Sequence, residues 1–145
     1  MKLSLKIAFL LLFISVINFS CESNKKSNNV SDNSINQIKK GEVFLLTPAE
    51  FKEKSVNHII IDVRTPYEFK QGFIKGAVSI NYFDRKFLEN FTSYDKNEPI
   101  FIYCKSGNRS SSASKKLAKA GFLKVYDMRG GILNWNRNNN QIEKY

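Results

Sequence analysis

Residues 99–122 read PIFIYCKSGNRSSSASKKLAKAGF, and this segment is the clearest indication of the fold class. PIFIYC is a short apolar and aromatic run opened by a proline, which predicts a fully buried strand of a parallel sheet. The residues KSGN end that strand, and from about Arg109 apolar residues recur at the spacing of one helix face. Gly121 is a typical helix stop. The pattern therefore predicts that Cys104 lies at the carboxyl end of a strand and faces the amino end of a helix.

This predicted position of Cys104 favours a reactive thiolate. The loop 105–108 can direct several backbone N–H groups and the positive end of the helix dipole at the sulfur. Lys105 and Arg109 add positive charge, and Gly107 permits the positive φ that a tight loop needs. The alternative is a small apolar cysteine that ends a core strand, but the C-x-x-G-x-R sequence is difficult to explain as core. We interpret Cys104 as a nucleophile.

The rest of residues 41–145 alternates predicted strands with predicted helices. Continuous apolar runs predict further strands at 42–47, 58–63, 77–80 and 124–128. Helix-start signals occur at Thr47-Pro48, at Pro66 and after Gly130-Gly131, and a helix is predicted over 83–91 with Phe83, Phe87, Leu88 and Phe91 on one face. The sequence therefore predicts one α/β domain, in which helices cover both faces of a parallel sheet of about five strands.

Charged side chains follow the predicted strands at the edge where Cys104 lies. Asp62 and Arg64 follow the second strand, and Arg129 follows the last. Ligands of such sheets bind beyond the carboxyl ends of the strands, which favours a single pocket. Asp62 is expected mainly to accept hydrogen bonds from loop N–H groups. Arg129 could bind an anion or form a salt bridge at the rim.

Four residues are expected to be structural. Arg64 and Glu68 are four residues apart in a tight turn, so we expect them to pair with each other as scaffold. Trp135 is expected in the core. His58, the only histidine, begins a strand and has no partner in the sequence pattern.

The amino-terminal 40 residues differ from the rest of the chain. Residues 1–20 have the layout of an export signal, with Lys2 and Lys6 before an apolar run that is too short to span a bilayer comfortably. The Ser20-Cys21 junction resembles the cleavage and lipidation site of bacterial lipoproteins, which implies acyl chains on Cys21. Residues 22–40 are rich in Asn, Ser and Lys and predict a flexible tether. We expect an exported, lipid-anchored protein of the bacterial cell envelope that faces the periplasm; the alternative is an ordinary secreted protein.

Charge and composition limit the classes of ligand and partner that the sequence predicts. The formal net charge is +10, which favours anionic ligands or an anionic membrane surface over acid-binding partners. Solvated surface lysines are the simpler alternative and the one we expect. No nucleic-acid motif and no cluster of metal ligands is visible, so we expect no metal, cofactor or nucleic acid. We also expect a monomer. We do not expect a disulfide between Cys21 and Cys104, because it would block the reactive loop.

Five sequence motifs in this order resemble the single-domain rhodanese family of sulfurtransferases. They are IDVR at 61–64, PYEF at 66–69, GFIKGA at 72–77, the loop CKSGNR at 104–109 and GGILNW at 130–135. The resemblance covers roughly residues 42–136. Phe73 stands where many relatives carry histidine, and Lys75 where proline is frequent.

The resemblance implies a rhodanese-like fold and sulfane-sulfur transfer through Cys104. Cys104 would take sulfur from thiosulfate or a persulfide donor, hold it as a persulfide, and pass it to cyanide or a thiol. The implied substrate-binding residues are those of the loop and the sheet edge: Lys105, Ser106, Gly107, Asn108, Arg109, Asp62, Arg64 and Arg129. Two alternatives remain open. One is a module that binds or senses persulfides without turnover; the other is a cysteine-dependent phosphatase or arsenate reductase, whose loops have five residues between cysteine and arginine, where this loop has four.

Overall fold

The computed structural model describes residues 40–144 of the chain. The predicted signal segment and nearly all of the predicted tether, including Cys21, lie outside the described residues. The strands are β1 (Glu42–Leu46), β2 (Ile59–Asp62), β3 (Ala77–Ser79), β4 (Ile100–Tyr103) and β5 (Lys124–Met128). The helices are α1 (Pro48–Lys54), α2 (Pro66–Lys70), α3 (Asn108–Lys119) and α4 (Gly131–Arg137), with a short 3₁₀ helix at Glu89–Phe91. None of the helices within this range is long and apolar enough to cross a bilayer.

The five strands form one parallel sheet in the order β1-β5-β4-β2-β3. β4 lies in the middle, and all four of its residues are buried. The predicted α/β fold with about five parallel strands is therefore confirmed. Because every strand runs in the same direction, the residues that follow β2, β4 and β5 meet at one edge of the sheet.

Alternate residues of β4 contribute to two apolar clusters, one on each face of the sheet. Ile100 and Ile102 pack with residues of α3, whereas Phe101 and Tyr103 pack with residues of α1 and α4. Successive side chains of a strand point to opposite faces, so a strand that is apolar throughout needs helices on both sides. This arrangement confirms the prediction of helices on both faces, and Trp135 is a buried member of the second cluster.

The predicted helix over 83–91 is wrong, because only its last three residues form a 3₁₀ helix. Oδ1 of Asn81 accepts a hydrogen bond from the Phe83 N–H at 3.2 Å, and Oδ1 of Asp84 accepts one from the Lys86 N–H at 2.9 Å. Such local side-chain bonds compete with helix formation. The four apolar residues therefore do not share a face: two are buried, Phe87 and Phe91, and two are exposed, Phe83 and Leu88.

Candidate active site

Cys104 directly follows β4 and is 1% exposed. Its Sγ accepts a hydrogen bond from the Gly107 N–H at 3.1 Å. Gly107 has φ 102° and is the N-cap residue of α3, so the loop turns back on the sulfur through a conformation that favours glycine. The cysteine thus lies at the end of a strand and faces the amino end of a helix, as the strand–loop–helix pattern predicts.

The start of α4 holds the backbone of the reactive loop. The Ile132 N–H donates to the Cys104 carbonyl at 2.8 Å, and the Leu133 N–H donates to the Lys105 carbonyl at 3.1 Å. Gly131 lies against both carbonyl groups, and a Cβ at this position would be 2.7 Å from the Lys105 oxygen and closer still to the Cys104 oxygen. The sequence indicated a turn at Gly130-Gly131, but not that this turn supports the loop.

A buried polar pair lies beneath the loop. The Ser110 hydroxyl donates to the Gly107 carbonyl at 3.1 Å. The carboxyl group of Asp127 in β5 lies close enough to the Ser110 side chain for Ser110 to act on its pKa. Burial raises the pKa of Asp127 to about 6. Its Oδ1 has no hydrogen-bond partner among the described residues. Sequence analysis missed both residues; the available signal was the acidic Asp127 inside the predicted strand 124–128.

Glu68 binds Arg109, not Arg64 as the sequence predicted. Two hydrogen bonds of 2.7 Å join the Arg109 guanidinium to both oxygens of the Glu68 carboxylate. The same carboxylate completes a capping box with Thr65 at the start of α2. Arg109, followed by the Thr65 bonds, lowers the pKa of Glu68 to about 2. This ion pair connects the amino ends of α2 and α3 beside the reactive loop.

Arg64 pairs instead with Asp62. Its Nε lies 2.9 and 2.8 Å from the two carboxylate oxygens of Asp62, and its Nη2 also donates to the Gly72 carbonyl at 2.6 Å. Oδ1 of Asp62 accepts a hydrogen bond from the Arg64 N–H at 2.9 Å, which matches the expectation that Asp62 bonds loop N–H groups. Both side chains are buried. The pair therefore fixes the chain where β2 leads into α2.

The other predicted site residues are exposed, three of them on the reactive loop and one, Arg129, after β5. Lys105 is exposed and lines a cavity of about 340 Å³, together with Arg64, Tyr67 and Leu133. Ser106 and Asn108 are exposed. Arg129 is also exposed, does not line that cavity, and acts electrostatically on Glu50. The structure thus brings Asp62, Arg64, Arg109 and the loop together, and leaves the Arg129 side chain apart.

Comparison with known proteins links this geometry to one family. A family model described as Rhodanese-like domain matches residues 47–138. Thiosulfate sulfurtransferase 16, chloroplastic, from Arabidopsis thaliana is 38% identical over 91 residues, covering 56% of this chain and 76% of that protein. Thiosulfate sulfurtransferase GlpE from Ectopseudomonas mendocina is 33% identical over 92 residues, covering 62% and 82%. A tRNA uridine(34) hydroxylase from Pelagibacter ubique is 30% identical over 116 residues, but this chain spans only 34% of that protein.

Solved structures have the same architecture. A rhodanese-related protein from Thermoplasma volcanium has a TM-score of 0.64 at 24% identity, and the alignment covers 70% of this chain and 99% of that chain. A rhodanese-like domain protein from Staphylococcus aureus has a TM-score of 0.59 at 28% identity, covering 70% and 98%.

Proposed function

The chain belongs to the family of rhodanese-like domains, and from this premise we propose that it is a sulfurtransferase. The sulfane sulfur of thiosulfate or of a persulfide moves first to Cys104 and then to an acceptor, either cyanide or a thiol. Relatives named thiosulfate sulfurtransferase support this class of reaction.

The observation that carries the proposal is the hydrogen bond from the Gly107 N–H to Sγ of Cys104. A backbone donor fixed at 3.1 Å from sulfur stabilises negative charge there without reorganisation. The same N–H group would stabilise the Cys104 thiolate before sulfur is accepted and the persulfide anion afterwards. The Arg109 charge interacts with Cys104 and adds to this stabilisation.

The proposed cycle consists of two displacements at sulfur. The Cys104 thiolate attacks the outer sulfur of thiosulfate; a new S–S bond forms from the thiolate electron pair, the S–S bond of thiosulfate breaks, and sulfite leaves with that pair. Cyanide then attacks the outer sulfur of the persulfide. A C–S bond forms, the Cys104 S–S bond breaks, and thiocyanate leaves as the thiolate returns. No external oxidant or reductant is needed.

Two features favour sulfur over an oxyanion such as phosphate or arsenate as the group transferred. The Arg109 guanidinium, which an oxyanion would need, is held by both oxygens of Glu68. In addition, the loop has only four residues between Cys104 and Arg109. The exposed cation of Lys105, beside the cavity of about 340 Å³, would attract an anionic sulfur donor to the loop.

Mass measurement of the full chain tests the proposal. Thiosulfate should add about one sulfur atom at Cys104, and cyanide should remove it with release of thiocyanate. Cys104→Ser should accept no sulfur. Cys21→Ser is the matched control, because it removes the other cysteine and should leave the cycle intact.

The outcomes separate the competing functions. Saturable turnover of thiosulfate and cyanide supports the enzyme. A persulfide that forms but is not turned over would mean a module that binds or senses persulfides. Sulfur transfer that persists in Cys104→Ser would overturn the proposed role of this residue.

A further inference from the structure

A cavity of about 880 Å³ lies away from the reactive loop. Its walls include His58 just before β2, Gly76 just before β3, and Val56 just after α1. These residues lie at the amino ends of their strands, whereas Cys104 follows the carboxyl end of β4. In a parallel sheet those are opposite edges, so this cavity is separate from the proposed sulfur-transfer site.

The floor of the cavity is apolar and its rim is basic. Ile60, Ile74 and Trp135 are buried core residues that form part of the wall. Lys52 and Lys75 are exposed at the rim. Among the described residues that line the cavity none is acidic, and Lys75 forms an exposed ion pair with Glu143 outside it, at 3.9 Å. A few polar groups above an apolar floor are typical of small-molecule sites.

The backbone around this cavity is unusual in one respect. Asn57 has φ 63° and Asn139 has φ 54°, and they are the two non-glycine residues with positive φ in the described part of the chain. Both line the cavity. Such conformations are sparsely populated by side-chain-bearing residues and cluster at ligand sites. Asn57 and Asn139 thus contribute to the cavity wall from two separate turns.

His58 provides an oriented polar group at the same place. Its ring stacks on Phe101, with centroids 5.6 Å apart and an interplanar angle of 23°. Within residues 40–144, no hydrogen bond or ion pair of the imidazole is found. A ring that is oriented by stacking and keeps its nitrogens unbonded can donate to or accept from a ligand.

We propose that this cavity is a second binding site for a small carboxylate with an apolar body. The apolar part would occupy the space above Ile60, Ile74 and Trp135. The carboxylate would lie toward Lys52 and Lys75, and the asparagine amides and His58 would orient it. This proposal is independent of the sulfur-transfer cycle.

Trp135 makes the proposal directly measurable, because it is the only tryptophan of the chain and lines the cavity. Phenylacetate is the probe, titrated into the full chain while tryptophan fluorescence is followed. We expect a saturable change with one site per chain. The uncharged 2-phenylacetamide should bind more weakly, since it lacks the charge that the lysines attract.

Charge variants test the location of the site. Lys52→Gln with Lys75→Gln should weaken phenylacetate binding by about fivefold, because exposed ion pairs each contribute modestly. Lys115→Gln with Lys119→Gln removes two exposed lysines of α3 outside the cavity and should leave the affinity unchanged. Both double variants should retain wild-type persulfide formation.

Three results would overturn the proposal. The first is a fluorescence change that does not saturate. The second is equal weakening by the two double variants, which would indicate a general charge effect. The third is loss of the response in Lys105→Gln but not in the cavity variant, which would assign the probe to the reactive loop.

Discussion

At the scale of single residues, Gly131 allows the closest approach between α4 and the reactive loop. A Cβ there would overlap the Cys104 carbonyl oxygen, and the backbone has φ 57°. Gly131→Ala should therefore destabilise the fold by about 1–3 kcal/mol, measured by denaturant unfolding, and should slow sulfur transfer because the loop must move.

Gly76 is the matched control for this change. It also has positive φ, at 76°, but a Cβ there meets nothing within 4 Å. Gly76→Ala therefore reports the backbone strain alone. Equal losses of stability and activity in both variants would show that the contact between Gly131 and the loop is unimportant.

Glu68 is the second residue whose role can be isolated. Its carboxylate caps α2 and binds Arg109, and both side chains are partly buried. Glu68→Gln should cost about 1–2 kcal/mol, because it removes the charge from two hydrogen bonds. Glu50→Gln is the control, since Glu50 forms the same capping box with Thr47 in α1 and is not an ion-pair partner of Arg109.

The pH dependence of the Glu68 effect has a defined sign. The pKa of Glu68 falls from 4.5 to about 2 in the folded protein, so its contribution is complete above pH 4.5 and is lost as the pH falls toward 2. The stability difference between wild type and Glu68→Gln should therefore shrink over that range in denaturant titrations. A difference that stays constant down to about pH 2 would contradict the proposed ion pair.

At the level of elements, Asp127 of β5 is buried close to Ser110 of α3. Burial raises the pKa of Asp127 from 3.8 to about 6. Between these pH values the folded protein therefore keeps a proton on Asp127 that the unfolded chain has released. Wild-type stability should consequently lose a contribution as the pH rises from 3.8 to about 6. Asp127→Asn should remove that slope in denaturant titrations across this range. An unchanged slope would mean that Asp127 titrates normally.

Elements and site contacts were predictable from the sequence to different degrees. β4, the loop and α3 follow from one continuous pattern, so their order and the position of Cys104 could be read from local spacing. The absence of a helix over 83–91 could not be read in this way. The apolar spacing of these residues fits a helix, but Asn81 and Asp84 form local hydrogen bonds that compete with it.

Pairing between distant residues is the part that spacing does not reveal. Four-residue spacing favoured Arg64 as the partner of Glu68. The capping box fixes Glu68 at the start of α2, and its partner Arg109 is 41 positions away in the sequence. The support of the loop by Gly131 depends in the same way on a contact between separate elements.

At the level of the whole molecule, the two proposed sites lie at opposite edges of the sheet. A domain held on a flexible tether would keep both of them accessible to ligands. We propose that the domain is anchored through acyl chains on Cys21, with residues 22–40 as the tether. Coil statistics of about 5–6 Å times the square root of length give this tether an average span on the order of 25 Å. Such a span would hold the domain just clear of a membrane surface.

This anchor predicts a specific labelling pattern in a bacterial host. Full-length protein grown with labelled palmitate should carry the label and sediment with membranes, because several acyl chains bind a bilayer stably. Cys21→Ala should lose the label and the membrane association. Cys104→Ser, which removes the other cysteine, should keep both. Unlabelled wild type, or label that depends on Cys104, would instead favour an ordinary secreted protein with its cysteine at position 21 unmodified.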